Sequence, residues 1–308
     1  MIFSVTILGC NSAIPSTERN QTSQLLNIQD KLFLLDCGEG TQLQLRKYHL
    51  KLQRIQHIFI SHLHGDHYFG LIGLISTMHL LGRKEELHIY AHAELEEIIN
   101  IQLKYSNSRL AFPLIFHYLQ NEKSKIIFEN KKLIVSSFPL YHSIPTCGFL
   151  FKEKKKEKNI KKEMIQKINI PFNVLDKIKK GEDFIDEKGN SYKNELLTID
   201  SPTPRAYAYC SDTAYFEPIL DTIKGVDLLY HEATFMQDKS DAAKEKLHST
   251  TTEAATIAQK AEVKKLLIGH FSARYDDLNP LLEEAKNIFP ETFLAEDGQT
   301  FSIEFSNK

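Results

Sequence analysis

The chain has 308 residues, 42% of them hydrophobic, and a formal net charge of −2. That suffices for the core of one large domain or two modest ones, and a near-neutral charge argues neither for nor against a nucleic-acid partner. Four scattered cysteines without C-x-x-C spacing, Cys10, Cys37, Cys147 and Cys210, exclude a disulfide framework and a cysteine zinc site. No basic segment followed by a long apolar run opens the sequence, so it does not read as carrying a signal peptide. The longest mostly apolar stretch, 68–82, is too short to span a bilayer and contains His79. A cytoplasmic protein without a membrane partner is the expectation.

In chain order, "FSVTILG" predicts a first strand, followed by the polar, turn-rich loop "CNSAIPSTERNQTS". "LFLLDCG" predicts a buried strand with Asp36 at its end, and "EGTQLQLRKYHL" a helix opening on an acidic first turn. "IQHIFIS" is a strand that runs directly into "HLHGDH", and the apolar segment after Gly70 reads as a buried helix. "LHIYAH" is a strand and "AELEEIINIQLKYS" has helical periodicity. "KLIVSSFPLYHS", "CGFLFKEK", "RAYAYCSDT", "DLLYHEATF" and "KKLLIGHFS" are further strands, most running into loops that bear histidine or aspartate. The helices "TTEAATIAQKAE" and "LNPLLEEAKNIF" fall between or after them. Alternation of this kind predicts an α/β class.

Residues 151–180 interrupt the pattern, with 11 lysines against 4 acidic residues. They predict an insertion projecting from the body, bounded at about 151–194. No repeat of fixed period is present.

The chemistry concentrates in "SHLHGDH". His62, His64, Asp66 and His67 follow an apolar strand, where such residues have no packing role. Imidazole nitrogen and carboxylate oxygen suit zinc or a similar metal. Four donors on one loop are more than one local site usually takes; they can be split between two ions, and each ion then needs donors from elsewhere. His142, Asp212 and His270 occupy matching places at the ends of later apolar strands, and such ends converge on one edge of an α/β fold. An aspartate such as Asp212 can bridge two ions, the arrangement suited to in-line attack on a phosphate ester. His49, His57, His79, His88, His92 and His117 are read as ordinary polar loop positions.

"HLHGDH" resembles the H-x-H-x-D-H signature of the metallo-β-lactamase superfamily. Together with "LLDCGEGTQLQL", "SDT", "HEATF", "HST" and "GHFSARY" it resembles the short-form ribonuclease Z family of tRNA 3′-processing endonucleases, with motifs spread over 7–298. The resemblance implies one domain over 1–308, an αβ/βα four-layer sandwich with a protruding basic arm. It implies two Zn2+ ions per subunit, with Mn2+ or another divalent metal as the alternative. One ion would take His62, His64 and His142, the other Asp66, His67 and His270, with Asp212 between them. Asp66 would double as general base, and His248, oriented by Glu232, would protonate the leaving 3′-oxygen. Ser249, Thr250, Ser272 and Arg274 are expected at substrate phosphates, although Ser249 or Thr250 also reads as a helix cap. Arg19 and Asn20 match a segment near the substrate, and Asp297 is expected to support a metal-binding histidine. The implied partners are precursor tRNA, gripped by the lysine-rich arm, and a second copy in a homodimer. The arm lacks the Gly-Pro stretch of many relatives, so its tip is not expected to follow theirs.

Three rival readings share the donor set or the basic segment. One is a two-metal phosphodiesterase for small esters or cyclic nucleotides, which has no use for a lysine-rich insertion. Another is a tRNA-binding protein that no longer cuts, which the intact set of seven donors opposes. The third is a β-lactam hydrolase, in which the "HEAT" and "HST" pair has no evident purpose.

Overall fold

The computed structural model describes residues 1–305. The first sheet takes β1 (Phe3–Gly9), β2 (Ser23–Ile28), β3 (Lys31–Leu35), β4 (Ile55–Phe59), β5 (Leu87–Ala91) and β6 (Leu114–Tyr118). The second begins with β7 (Lys125–Glu129), β8 (Leu133–Pro139) and β9 (Cys147–Glu153). Four two-residue strands follow in an excursion: β10 (Asn159–Ile160), β11 (Phe184–Ile185), β12 (Ser191–Tyr192) and β13 (Thr198–Ile199). The second sheet resumes with β14 (Ala206–Cys210), β15 (Leu228–Glu232), β16 (Leu266–Gly269) and β17 (Thr292–Leu294), and β18 (Thr300–Ser302) returns to the first. The sheet orders are β18-β1-β2-β3-β4-β5-β6 and β17-β16-β15-β14-β9-β8-β7.

Each sheet is antiparallel over one part and parallel over another. β3 through β6 run parallel, as do β14 through β17. The parallel strands are apolar on both faces because both faces are covered. Alternation along β3 sends Phe33 and Leu35 between the sheets and Leu32 and Leu34 toward the helices. The outer layer there is α1 (Thr41–Lys47), α2 (Gly65–Tyr68), α3 (Leu71–Leu80) and α4 (Glu94–Tyr105). Between the sheets, Phe59 stacks on Tyr90 at 4.4 Å and meets Phe149 and Phe151 edge-on at 5.4 Å.

Several elements differ from expectation. β2, β6, β7, β17 and β18 were not legible as strands. α1 starts at Thr41 behind Gly40, whose φ of 83° ends the preceding loop, so Glu39 lies outside the first turn. His57, His88 and His117 are strand residues on β4, β5 and β6, not loop residues, with neighbouring rings stacked at 5.0 and 5.2 Å. The excursion leaves the sheet after Glu153 and rejoins it at Ala206, so limits of 151–194 cut into β9 and stop short of β13. It carries α5 (Lys162–Lys167), α6 (Leu175–Lys179) and α7 (Asn194–Leu197) around a small core of Ile170, Leu175, Ile178, Phe184 and Leu197. The second sheet's helices are α8 (Leu220–Ile223), α9 (Ser240–Lys246), α10 (Thr251–Lys260) and α11 (Asn279–Lys286). No helix among the described residues is long and apolar enough to cross a membrane.

At the base of the excursion, Arg205 is buried against Glu153, with Nη2 2.9 Å from Oε1 and Nε 3.0 Å from Oε2. Arg205 Nη1 also donates to the carbonyls of Met1 and Ile303, tying both ends of the chain to the sheet. Burial alone would raise the Glu153 carboxyl, but hydrogen bonds from Arg205 and Gln29 and the guanidinium charge outweigh it and hold it below its ordinary value. A depressed carboxyl stabilises the fold above the unfolded-state value of about 4.3 and loses that contribution as pH falls through the lower folded value. Glu153→Ala, which strands a buried guanidinium, is expected to cost about 3–5 kcal/mol in urea unfolding. Part of the wild type's acid sensitivity should vanish with it, and an unchanged unfolding midpoint would contradict this role.

Candidate metal centre

The parallel strands aim their C-terminal ends at one edge of the sandwich, and the predicted donors arrive there from both sheets. β4 delivers Ser61 and His62, then α2 carries Asp66 and His67 on its single turn. Gly70 lets that turn lie against the loop after β3: a Cβ there would sit 2.1 Å from the Gly38 carbonyl oxygen. From the second sheet come His142 after β8, Asp212 after β14, Glu232 at the end of β15 and His270 after β16.

Seven residues fall into two groups sharing Asp212: His62, His64, His142 and Asp212, and Asp66, His67, His270 and Asp212. In the first, His64 Nδ1 lies 3.1 Å from His62 Nε2 and 3.2 Å from His142 Nε2, and Asp212 Oδ2 lies 3.5 Å from His62 Nε2. In the second, Asp212 Oδ1 is 3.4 Å from His67 Nε2 and 3.2 Å from His270 Nε2. Asp66 Oδ2 is 3.4 and 3.2 Å from the same two nitrogens. Donors around a tetrahedral ion with bonds of about 2.0–2.1 Å stand about 3.3 Å apart, so both sets fit a small divalent cation.

The ring orientations support the same fit. His67 Nδ1 donates to Asp36 Oδ2 at 2.8 Å and His142 Nδ1 to the Leu247 carbonyl at 2.8 Å. His270 Nδ1 donates to Thr234 Oγ1 at 2.9 Å, and His62 Nδ1 faces Ser61 Oγ at 3.0 Å. Each of these four rings, protonated at Nδ1, turns a bare Nε2 to the centre, whereas His64 presents its Nδ1. His67 Nε2 and Asp212 Oδ1 are buried without a hydrogen-bond partner. Lone pairs facing one another inside a protein are costly unless positive charge lies between them, and the tetrahedral spacing of both sets suits a divalent cation in that place. Burial lowers His62 to about 4, which keeps it in the neutral form a metal binds. Burial alone would lower His67 too, but the Asp212, Asp66 and Asp36 carboxylates outweigh it and raise the imidazole, the same attraction for positive charge that a bound cation would satisfy.

Asp36, noted in the sequence only as a strand end, proves central. It is fully buried, and besides His67 it accepts from the Ser61 N–H at 2.7 Å, Ser61 Oγ at 2.9 Å and Tyr209 Oη at 2.6 Å. Asp36 and His270 have φ of 51° and 60°, a left-handed conformation costing about 1–2 kcal/mol each, offset by these contacts. Thr234 was also missed. Its hydroxyl accepts from His270 and donates to Glu232 Oε2 at 2.7 Å. No periodicity marks either residue; only the partner brought from another strand reveals its task.

Beside the donors, His248 Nδ1 donates to Glu232 Oε1 at 2.7 Å. Burial alone would lower His248, but the Glu232 and Asp212 carboxylates outweigh it and raise the imidazole to about 9. Glu232 is fully buried and also accepts from the Thr213 N–H at 3.0 Å. His64, Asp66, His142, His248 and His270, with Ser272 and Arg274, line one open cleft of about 580 Å³. Arg274 donates through Nε to Ser272 Oγ at 3.0 Å and lies 4.9 Å from the Phe235 ring centroid.

Three expectations are corrected. Ser249 and Thr250 are fully buried. Ser249 Oγ donates to the Thr213 carbonyl, and Thr250 forms a capping box with Glu253 at the start of α10. Their hydroxyls serve the fold rather than a substrate phosphate. Asp297 supports no histidine; its Oδ2 accepts from Asn20 and from Gln44 Nε2 at 3.0 Å. Arg19 donates to the Tyr275 carbonyl at 2.7 Å, which braces the loop whose residues Ser12, Ala13 and Ile14 line the same cleft.

Two seven-stranded sheets between helical layers, with such donors at one edge, define a metallo-β-lactamase-fold protein. The short-form human tRNase Z structure is 29% identical and superposes at a TM-score of 0.72 over 98% of this chain and 100% of that one. YhfI from Bacillus subtilis, a metallo-β-lactamase-fold protein, shares the fold at 19% identity, with a TM-score of 0.68 over 98% and 100%. A family model described as Anti-Pycsar protein Apyc1 matches residues 3–165. Ribonuclease Z of Phocaeicola vulgatus is 51% identical over 98% of both chains, and that of Porphyromonas gingivalis 45% over 96% and 97%. The chain therefore belongs to the ribonuclease Z family, metal-dependent phosphodiester hydrolases, and its residues 3–165 fall within the family that the Apyc1 model defines.

Asp36→Asn removes the carboxylate charge that fixes the His67 ring. It is expected to weaken divalent-metal affinity roughly 10–100-fold, read by competition with a chromophoric chelator. Unaltered affinity would exclude Asp36 from this task.

Proposed function

We propose that this chain is the endoribonuclease that removes the 3′ trailer from precursor tRNA, leaving a 3′-hydroxyl on the tRNA and a 5′-phosphate on the trailer. The observation that carries the reading is the pairing of two donor sets, joined by Asp212, with the Glu232–His248 dyad in one cleft. Relatives named ribonuclease Z, matched over nearly the full chain, support it.

His62, His64 and His142 would hold one ion and Asp66, His67 and His270 the other, with Asp212 shared; zinc suits these nitrogen-rich sets, and manganese is the alternative. Two such ions supply a water of lowered pKa and positive charge against the scissile phosphate. Asp66 takes the proton of the attacking water. His248, charged through its bond to Glu232, gives a proton to the departing 3′-oxygen. Glu232 is a positioning residue, held in turn by Thr213 and Thr234. Ser272 and exposed Arg274 contact substrate phosphate at the cleft mouth.

The lysine-rich excursion grips the body of the tRNA through backbone phosphates, which gives affinity without sequence readout. Its own small core supports its folding as a unit. A homodimer belongs to the same reading. Exposed Leu43, Phe69, Leu80 and Leu81 on and beside α1 and α3 give an apolar surface for a second copy to cover.

His248→Ala is expected to slow pre-tRNA cleavage by roughly 10²–10⁴-fold while metal content stays at wild-type level. Hydrolysis of bis(p-nitrophenyl) phosphate, whose leaving group needs no proton, should be largely spared. Equal loss on both substrates would refute the assignment of His248 as the acid. Replacing residues 155–203 with a short linker should sharply raise KM for pre-tRNA and flatten its salt dependence, with little change on the small ester. Parallel losses on the two substrates would sink the clamp.

A further inference from the structure

The end of the sandwich away from the metal centre holds a separate cavity of about 240 Å³. It lies where the β2–β3 hairpin of one sheet and the β7–β8 hairpin of the other leave the space between the sheets open. Ile28, Phe33 and Leu133 form an apolar floor, all of them core residues at most 4% exposed. Lys31, Lys131 and Lys132 stand around it, exposed and without a salt bridge among the described residues.

The carboxylates nearby do not balance these lysines. Glu153 is committed to Arg205 and Gln29, and Glu129 pairs with Lys154. Asp30 shares the turn with Lys31 but does not line the cavity. Gln29 adds a second feature. It sits at φ 52°, a conformation uncommon for this residue type. Its Nε2 donates to Glu153 Oε1 at 2.9 Å, which fixes the amide at the cavity wall.

We propose that this cavity is a second binding site, for a small organic anion with a flat apolar body of about one aromatic ring. The volume exceeds the ~150 Å³ that holds a benzene molecule in an engineered cavity, leaving room for one charged substituent. The ring lies over Ile28 and Leu133 and along the lysine stems, and the anionic group meets the lysine ammonium groups. Lys31 and Asp36 lie five residue steps apart along β3, about 17 Å at the rise of a strand, so such a ligand touches no metal donor. The site does not depend on the nuclease reading.

4-(Trifluoromethyl)benzoate followed by 19F NMR on the full chain tests this. Saturable binding of one equivalent is expected, with hydrogen-exchange protection confined to residues 28–33 and 130–133. The uncharged 4-(trifluoromethyl)benzyl alcohol should bind about tenfold more weakly, a difference of about 1.4 kcal/mol. The double variant Lys131→Glu, Lys132→Glu, placed on an exposed turn, should lose the benzoate while its thermal unfolding stays as in the wild type. Equal binding of acid and alcohol, benzoate binding that survives charge reversal, or protection elsewhere would overturn the site. Displacement of the benzoate by pre-tRNA would overturn it too, by making the lysines an RNA contact.

Discussion

The two oxygens of Asp212 face two separate sets of imidazole nitrogens, and the catalytic end of the molecule is arranged around that carboxylate. It is buried, reached by three strands of the second sheet and one loop of the first, and one of its oxygens has no hydrogen-bond partner. Such a collection of lone pairs and negative charge is unfavourable on its own. It persists because each donor leaves a rigid strand end or helical turn and because Asp36, Ser61, Thr234 and the Leu247 carbonyl fix the rings from behind. Divalent cations complete the balance, and the same cations are what phosphodiester hydrolysis needs.

The Glu232–His248 side of the cleft is built on the same logic. Glu232 has one oxygen on His248 and the other on Thr234, which in turn holds His270. One buried carboxylate therefore positions the His248 imidazole and, through the Thr234 hydroxyl, the His270 ring. This coupling gives "HEAT" and "HST" a joint purpose that neither motif shows alone.

Much of this was legible before the fold because "HLHGDH" is contiguous and His142, Asp212 and His270 each follow an apolar run. The resemblance grouped them, and the structure brings their donor atoms together in two clusters that share Asp212. Asp36 and Thr234 escaped because their roles depend on partners from other strands. Ser249 and Thr250 were misjudged because a helix start offers a hydroxyl equally to a phosphate and to its own backbone; the capping box resolves the competition. The edge strands β6 and β7 were missed because they are half exposed and carry mixed polarity. The limits of the lysine-rich excursion misled because charge ignores pairing: β9 continues through Lys152 and Glu153, and β13 closes on β10 beyond the basic run.

The most direct test of the account is cleavage of an end-labelled, 3′-extended precursor tRNA by the purified, metal-loaded protein, with Asp212→Ala alongside and the product ends mapped. The account predicts one cut near the acceptor end, a 3′-hydroxyl on the tRNA body, and loss of both cleavage and bound metal in the variant. Hydrolysis of small phosphodiesters with the precursor left intact would contradict it.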